Sequence, residues 1–378
     1  MSDVRISRRR LARALGAVAA GSLVPRWTGS FARASLPRGL SEDWIQLNSN
    51  ENPYGPSRRA LEAVAGVQKI APRYPDALEE ELRDAVARHH GTTPDSIALG
   101  NGSSEVLRMA AAAFLAPGKT VLAAEPTFEA VLGYARVTSA EPVKVPLTAD
   151  FRHDLPRMAA ACDARTGLLY LCNPNNPTGT VVSADELRAA LARVPPATAV
   201  LIDEAYHHFV ETPRHSSAVE WIDRFPNLIV ARTFSKIYGM AGLRLGYAVA
   251  SRENAATINR HAAWNNVNAA ALAAGLASLA DNELVARQRR LLNDNRRWLC
   301  DALDKEGRRY IPSETNFLMI DVGADVAPVI SAFRGRRILV GRKFPSLPNW
   351  LRVTIGTREE TAAFLAGLRE IVPKRAAA

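Results

Sequence analysis

The chain has 378 residues, 47% of them hydrophobic and 23% charged, the composition of an ordinary globular protein and more than one small core needs. Its formal net charge of +10 suggests nucleic acid at first, but residues 1–34 hold seven arginines against one acid and leave only about +4 for the remainder, so no nucleic-acid partner is expected. No run of about 18 apolar residues occurs, so no stable membrane insertion is expected, and three widely spaced cysteines (Cys162, Cys172 and Cys300) form neither a metal motif nor a disulfide framework.

The chain opens on Ser7-Arg-Arg-Arg-Leu-Ala-Arg13, then the weakly apolar Ala14-Leu-Gly-Ala-Val-Ala-Ala-Gly-Ser-Leu-Val24, then Ala32-Arg-Ala34 before Ser35. A charged start, a short apolar run and a small-residue cleavage pattern predict an export leader over 1–34. Its paired arginines resemble the twin-arginine type, which carries folded proteins to the periplasm. The protein is cytoplasmic if the leader is not used. Residues 35–70 read as an N-terminal arm packing with a small domain.

Residues 71–265 read as a large domain. Short apolar runs alternate there with helical patterns: Ile97-Ala-Leu, Thr120-Val-Leu-Ala, Gly167-Leu-Leu-Tyr-Leu, Ala199-Val-Leu-Ile, Leu228-Ile-Val-Ala and Gly246-Tyr-Ala-Val, with helices over 105–115 and 184–194. Fully apolar strands separated by helices predict an α/β fold with a mostly parallel sheet covered on both faces. Such sheets bind ligands at the carboxyl ends of their strands. Residues 266–378 read as a smaller α+β domain. An alanine-rich helix (269–280) and a charged helix (282–305) lead to strands at Asn316-Phe-Leu-Met-Ile, Ile338-Leu-Val and Trp350-Leu-Arg-Val-Thr-Ile, and a last helix starts near Glu359.

The chemistry-bearing residues fall at the predicted strand ends. Asp203 ends one apolar run, with Tyr206 three residues on; Lys236 follows another, with Arg244 eight residues beyond it. A lysine amine condenses with an aldehyde to give a Schiff base. A carboxylate keeps a pyridine nitrogen protonated, a phenol donates to a ring oxygen, and an arginine grips a phosphate in a fork. Together they point to pyridoxal 5'-phosphate. Gly100-Asn-Gly-Ser-Ser-Glu105 precedes a helix, so its amides, with Ser103 and Ser104, suit a phosphate that Ser235 and Arg244 complete. Asn176, in Asn173-Pro-Asn-Asn-Pro-Thr-Gly179, is placed to reach the ring oxygen, and Phe128 to stack on the pyridine face. Arg352 on a late strand suits a substrate carboxylate. Taken singly, each has a plainer reading as a helix cap, a solvated lysine or a core tyrosine.

The whole set resembles the class I/II pyridoxal-phosphate aminotransferases of fold type I, and within them the histidinol-phosphate aminotransferase family. The matching runs are Leu47-Asn-Ser-Asn-Glu-Asn-Pro-Tyr-Gly-Pro56, Arg73-Tyr-Pro-Asp76, Gly102-Ser-Ser-Glu105, Pro126-Thr-Phe128, Asn173-Pro-Asn-Asn-Pro-Thr-Gly179, Asp203-Glu-Ala-Tyr206, Arg232-Thr-Phe-Ser-Lys-Ile-Tyr-Gly-Met-Ala-Gly-Leu-Arg244, Thr315-Asn-Phe317 and Leu351-Arg-Val-Thr-Ile-Gly-Thr357. The resemblance implies Lys236 as the Schiff-base lysine, Asp203 as the pyridine partner, and Tyr206 and Asn176 as partners of the ring oxygen. It implies Ser104, Ser235 and Arg244 on the phosphate, and Tyr74 as a phosphate contact given across a homodimer with shared active sites. It also implies Arg352 on the substrate anion and Asn52 and Tyr54 approaching the substrate. Arg342, in Val340-Gly-Arg-Lys-Phe344, matches the family's second anion-binding arginine in a loop of different length. The expected reaction moves an amino group between an amino acid or amino-alcohol phosphate and a 2-oxo acid. The same scaffold also supports decarboxylases and lyases, such as one acting on threonine phosphate, and the residues leave that alternative open.

Overall fold

The computed structural model describes residues 44–373. The expected leader (1–34) and the start of the expected arm lie outside the described residues. The first strand, β1 (Ile45–Leu47), pairs in parallel with the late strand β11 (Ile338–Val340), so the arm is tied to the C-terminal part of the chain. The principal sheet comprises β2 (Ile97–Gly100), β3 (Thr120–Glu125), β4 (Glu141–Pro146), β5 (Thr166–Cys172), β6 (Ala199–Asp203), β7 (Leu228–Thr233) and β8 (Gly246–Ala250), in the spatial order β2-β8-β7-β6-β5-β3-β4. Only β8 runs against its neighbours; β4, β3, β5, β6 and β7 pair in parallel. This is the mostly parallel α/β sheet expected from the apolar runs.

Alternation along each strand divides two cores. Leu169, Leu171, Val200, Ile202, Leu228 and Val230 are buried on one face of the sheet. Leu168, Tyr170, Leu201, Ile229 and Ala231 are buried on the other. Both faces are covered, which is why the strands read as continuous apolar runs rather than alternating ones. β4 was not anticipated. Its sequence, Glu141-Pro-Val-Lys-Val-Pro, carries two prolines, which a strand tolerates at the edge where one side needs no ladder bonds.

Several helices begin where the sequence supplies acceptors for their free amides. Ser183 and Glu186 form a reciprocal cap for the helix Ala184–Leu191, and Thr357 and Glu360 do the same for Arg358–Ile371. A second sheet, β12 (Trp350–Thr354), β10 (Phe317–Asp321) and β9 (Tyr310–Ile311), is antiparallel and sits beside these C-terminal helices. The alanine-rich helix Ala269–Leu279 follows the expected division at 265/266. It packs with the helices Arg58–Gly66 and Asp76–His90, and Gly275 lies against Leu245 and Leu82 of the large-sheet side. Its small side chains permit that close approach. No single helix among the described residues is long and apolar enough to cross a membrane.

Behind the carboxyl ends of β6 and β7 lies a buried ion pair between Glu204 and Arg232, 2.7 Å apart. Histidines surround it. His207 lies 2.9 Å from His215, and His90 is 2.9 Å from the Tyr247 hydroxyl. His89, His90, His207 and His208 line one cavity of about 480 Å³ with Arg232. Burial, then the Arg232 charge, lowers His90 to about 3 and His207 to about 2. No group of three or more His, Cys, Asp or Glu side chains among the described residues is arranged to hold a metal ion. A histidine depressed below its unfolded value of 6.5 contributes stability that is present above that pH and lost as pH falls toward its folded value. Melting temperature should therefore drop from about pH 6.5 downward. A His90→Gln/His207→Gln double variant should lose less over the same range in scanning calorimetry, and a profile parallel to the parent protein would contradict the burial argument.

Candidate active site

Five strands of the principal sheet deliver their carboxyl ends to one place. β2 leads to Ser103, β3 to Phe128, β5 to Asn176, β6 ends at Asp203, and β7 leads to Lys236. A cleft of about 1070 Å³ opens there. Its other wall comes from the C-terminal part of the chain and carries Arg342, Phe344 and Arg352. Ser103, Ser104, Phe128, Asn176, Asp203, Tyr206, Ser235, Lys236, Arg244, Arg342 and Arg352 of the expected residues all line it.

Asp203 is only 2% exposed. One carboxylate oxygen accepts from the Tyr170 hydroxyl at 3.1 Å and the other from the Ala205 amide at 3.1 Å. Burial raises it to about 6, against the lowering effect of these bonds and of the nearby Lys236 charge. No lysine or arginine among the described residues forms an ion pair with it. A buried carboxylate without a cation is the environment that a protonated ring nitrogen satisfies.

Lys236 sits three residues beyond the end of β7. Its ammonium donates to the carbonyls of Ser49 at 3.1 Å and Asn50 at 2.8 Å. Burial, followed by repulsion from Arg352, lowers it to about 8, although Glu51 and Asp203 oppose the shift. Its amine is therefore closer to a free nucleophile than an ordinary lysine at neutral pH. Tyr206 is buried, and its hydroxyl accepts from the Asn50 side-chain amide at 3.0 Å. Desolvation pushes this phenol upward, so it stays a neutral donor.

An anion cradle closes the far end. The helix Ser103–Phe114 starts after Gly102 with no side-chain cap, so its first amides are free for a ligand. Gly102 has φ +80°, and a Cβ there would come within 2.2 Å of the Arg244 guanidinium. At Gly246 a Cβ would meet the Ser103 amide nitrogen at 2.3 Å. Both glycines let charge and amides crowd together. Arg244 donates to the Ala241 carbonyl at 2.9 Å and reaches the Ser235 hydroxyl at 3.5 Å.

On the opposite wall Arg352 donates to the Asn176 side chain at 2.8 Å and to the Asn48 carbonyl at 2.9 Å. Its Nε is buried without a hydrogen-bond partner. An unsatisfied guanidinium N–H in a cleft suits an incoming carboxylate or phosphate.

Three expected residues stand elsewhere. Asn52 does not line the cleft: its amide donates to the Ile237 carbonyl at 3.1 Å and to Gln288 at 3.3 Å, which makes it a brace for the loop carrying Lys236. Tyr54 is turned away, its backbone amide held by Asn52 and its hydroxyl accepting from Asn295 at 3.0 Å. Within this chain neither side chain lines the cleft. Tyr74 is 81% exposed and lies outside the cleft. Two contributors were missed. Tyr170 was read only as part of an apolar strand, yet a tyrosine hydroxyl in such a run must find a partner. Asn50 lies in the Asn-rich run of the arm, and its left-handed backbone (φ 55°) is a conformation asparagine tolerates better than most residues.

Residues 42–368 match the family described as "Aminotransferase class I and II". The chain belongs to the class I and II aminotransferases. It is 45% identical over 329 residues to a histidinol-phosphate aminotransferase of Symbiobacterium thermophilum, covering 86% of this chain and 90% of that one. A crystal structure of histidinol-phosphate aminotransferase from Sinorhizobium meliloti in complex with pyridoxal-5'-phosphate superposes with a TM-score of 0.82 at 27% identity, covering 87% of this chain and 90% of that chain. An L-threonine-O-3-phosphate decarboxylase from Porphyromonas gingivalis shares the fold, with a TM-score of 0.75 at 22% identity over 87% of this chain and all of that one (100%).

The cradle yields a direct test. Gly102→Ala should displace the Arg244 guanidinium and weaken inorganic phosphate binding to the cofactor-free protein by about tenfold, the loss of roughly one charge-assisted hydrogen bond. Calorimetric titration with an unchanged dissociation constant, in a variant whose circular dichroism is native, would contradict the assignment.

Proposed function

We propose that the chain is a pyridoxal-phosphate-dependent aminotransferase that moves an amino group from a donor of the histidinol-phosphate class to a 2-oxo acid such as 2-oxoglutarate. The observation that carries the reading is the placement of Asp203, Lys236 and the Ser103/Ser104/Ser235/Arg244 cradle around one cleft, with Arg352 on the facing wall. When bound, the cofactor's ring supplies a sink for the electron pair released at the donor's Cα.

The protein's residues do the rest. Asp203 would pair with the cofactor's ring nitrogen and keep that nitrogen protonated. The amine of Lys236 would hold the cofactor and, once an amino donor had replaced it there, Nζ would take the proton from the donor's Cα as a base and deliver it to the cofactor's carbonyl carbon as an acid. Its lowered affinity for protons serves both steps. Tyr206, fixed by Asn50, and Asn176, fixed by Arg352, would hold the ring oxygen. Phe128 would cover the ring face. Arg352 clamps the donor's anionic group, which fixes the Cα bond to be broken.

The alternative outcome, loss of carbon dioxide from Cα, uses the same scaffold. Relatives that are histidinol-phosphate aminotransferases support the transfer reaction. We further propose a homodimer in which Tyr74 reaches the partner's phosphate. Its exposure, with Trp264, Ile70 and Leu61 also exposed, supports a covered surface. Residues 1–34 are proposed as a twin-arginine leader for export, on the strength of Arg8-Arg-Arg10 and Ala32-Arg-Ala34.

Three outcomes are expected. Mixing the loaded enzyme with histidinol phosphate should convert its visible spectrum to that of the pyridoxamine form, and 2-oxoglutarate should reverse it; carbon dioxide without that conversion favours the decarboxylase. Lys236→Ala should lack the visible absorbance of the bound vitamin altogether. Because Lys236 titrates near 8, uptake of the vitamin by cofactor-free protein should quicken as pH rises to about 8 and level off above it. A rate still climbing through pH 10, followed by stopped-flow absorbance, would place the reactive amine elsewhere.

A further inference from the structure

We propose that Glu129 is a specificity-determining residue that competes with the donor's anionic group for Arg342, so that it weakens the hold on a phosphate donor and narrows the margin between a phosphate and a neutral donor. The inference rests on the aminotransferase reading above and names a residue that tunes the choice of donor. Glu129 follows Phe128 in the segment after β3, on the sheet side of the cleft. Arg342 follows β11 on the facing wall. Their side chains meet across the cleft at 2.7 Å. Beside them Ser346 reaches Glu125, at the end of β3, at 3.3 Å. The segments bounding the cleft mouth are thus joined by side chains at two points.

The wall that carries Arg342 is rich in positive charge. Arg342 lies over Phe344 at 4.3 Å from the ring centre, and Arg352 lies 5.2 Å from the same centre. One aromatic ring therefore serves as a platform for both guanidinium groups. Arg334 lines the same cleft and carries no acidic partner among the described residues. Arg342 alone is already engaged by an acid. Its two terminal nitrogens donate to Glu129 and to the Lys343 carbonyl. A donor group reaching this wall must take Arg342 from a carboxylate. A neutral group gains nothing by the exchange and a carboxylate only breaks even. A phosphate dianion, with twice the charge and three acceptor oxygens, wins it.

The pair is half-exposed, 52% for Arg342 and 58% for Glu129. A pair of that kind is worth 0.2–1 kcal/mol, which sets the scale of the competition at about 1.5-fold to fivefold. That is too little to hold the cleft shut and enough to bias donor choice.

The test compares histidinol phosphate with histidinol on the loaded enzyme. Glu129→Gln should lower KM for histidinol phosphate by about two- to fivefold while leaving KM for histidinol where it was. In an Arg342→Gln background the same substitution should have no effect on either donor. Calorimetry of the loaded enzyme with inorganic phosphate should show tightening by the same factor in Glu129→Gln. Equal shifts for both donors, no shift for either, or an effect that survives Arg342→Gln would overturn the proposal. If neither donor reacts yet phosphate tightens as expected, the aminotransferase reading falls and the competition stands. If both donors react and phosphate binding is unmoved, the competition alone falls.

Discussion

A carboxylate taken out of water without a cation is the constraint on which the site turns. Asp203 ends β6 inside the molecule, bonded only to a tyrosine hydroxyl and a backbone amide. Such a group either gives up its charge or finds a positive partner. The sheet fixes what that partner meets. β6 and β7 run in parallel, with Asp203 opposite Ala231, so the segment that leaves β7 carries Lys236 into the same cleft. Acid and amine are therefore placed by strand pairing rather than by a flexible loop. The Glu204–Arg232 pair behind them ties the two strands together on the far side.

The N-terminal arm does more than cover this arrangement. Asn50 orients Tyr206, its carbonyl and that of Ser49 receive the Lys236 ammonium, and the Asn48 carbonyl receives Arg352. One short stretch of chain thus touches the base, the phenol and the anion clamp. β1 anchors that stretch to β11, on the C-terminal wall of the cleft. The Glu129–Arg342 contact joins the same wall to the sheet side across the mouth.

Much of this was legible in the residues. The continuous apolar runs located the parallel sheet because strands covered on both faces need no polar alternation. Asp203 and Lys236 stood out because charged groups at the ends of buried strands are costly unless used, and Arg244 because it lies eight residues beyond the lysine. What escaped notice did so for physical reasons. β4 hid behind its two prolines, acceptable only because the strand lies at an edge. Tyr170 looked apolar, since the sequence does not say where its hydroxyl points. Asn50 and Asn52 are indistinguishable by type and two residues apart; backbone direction sends one to Tyr206 and the other to Ile237 and Gln288. Glu129 and Arg342 are 213 positions apart, and no local pattern announces their contact.

The most direct measurement is chemical trapping. Borohydride reduction of the yellow protein, followed by proteolysis and mass mapping, fixes the vitamin to whichever amine holds it. The account predicts a single pyridoxyl adduct on the peptide containing Lys236. An adduct on another lysine, or unmodified peptide throughout, would contradict it.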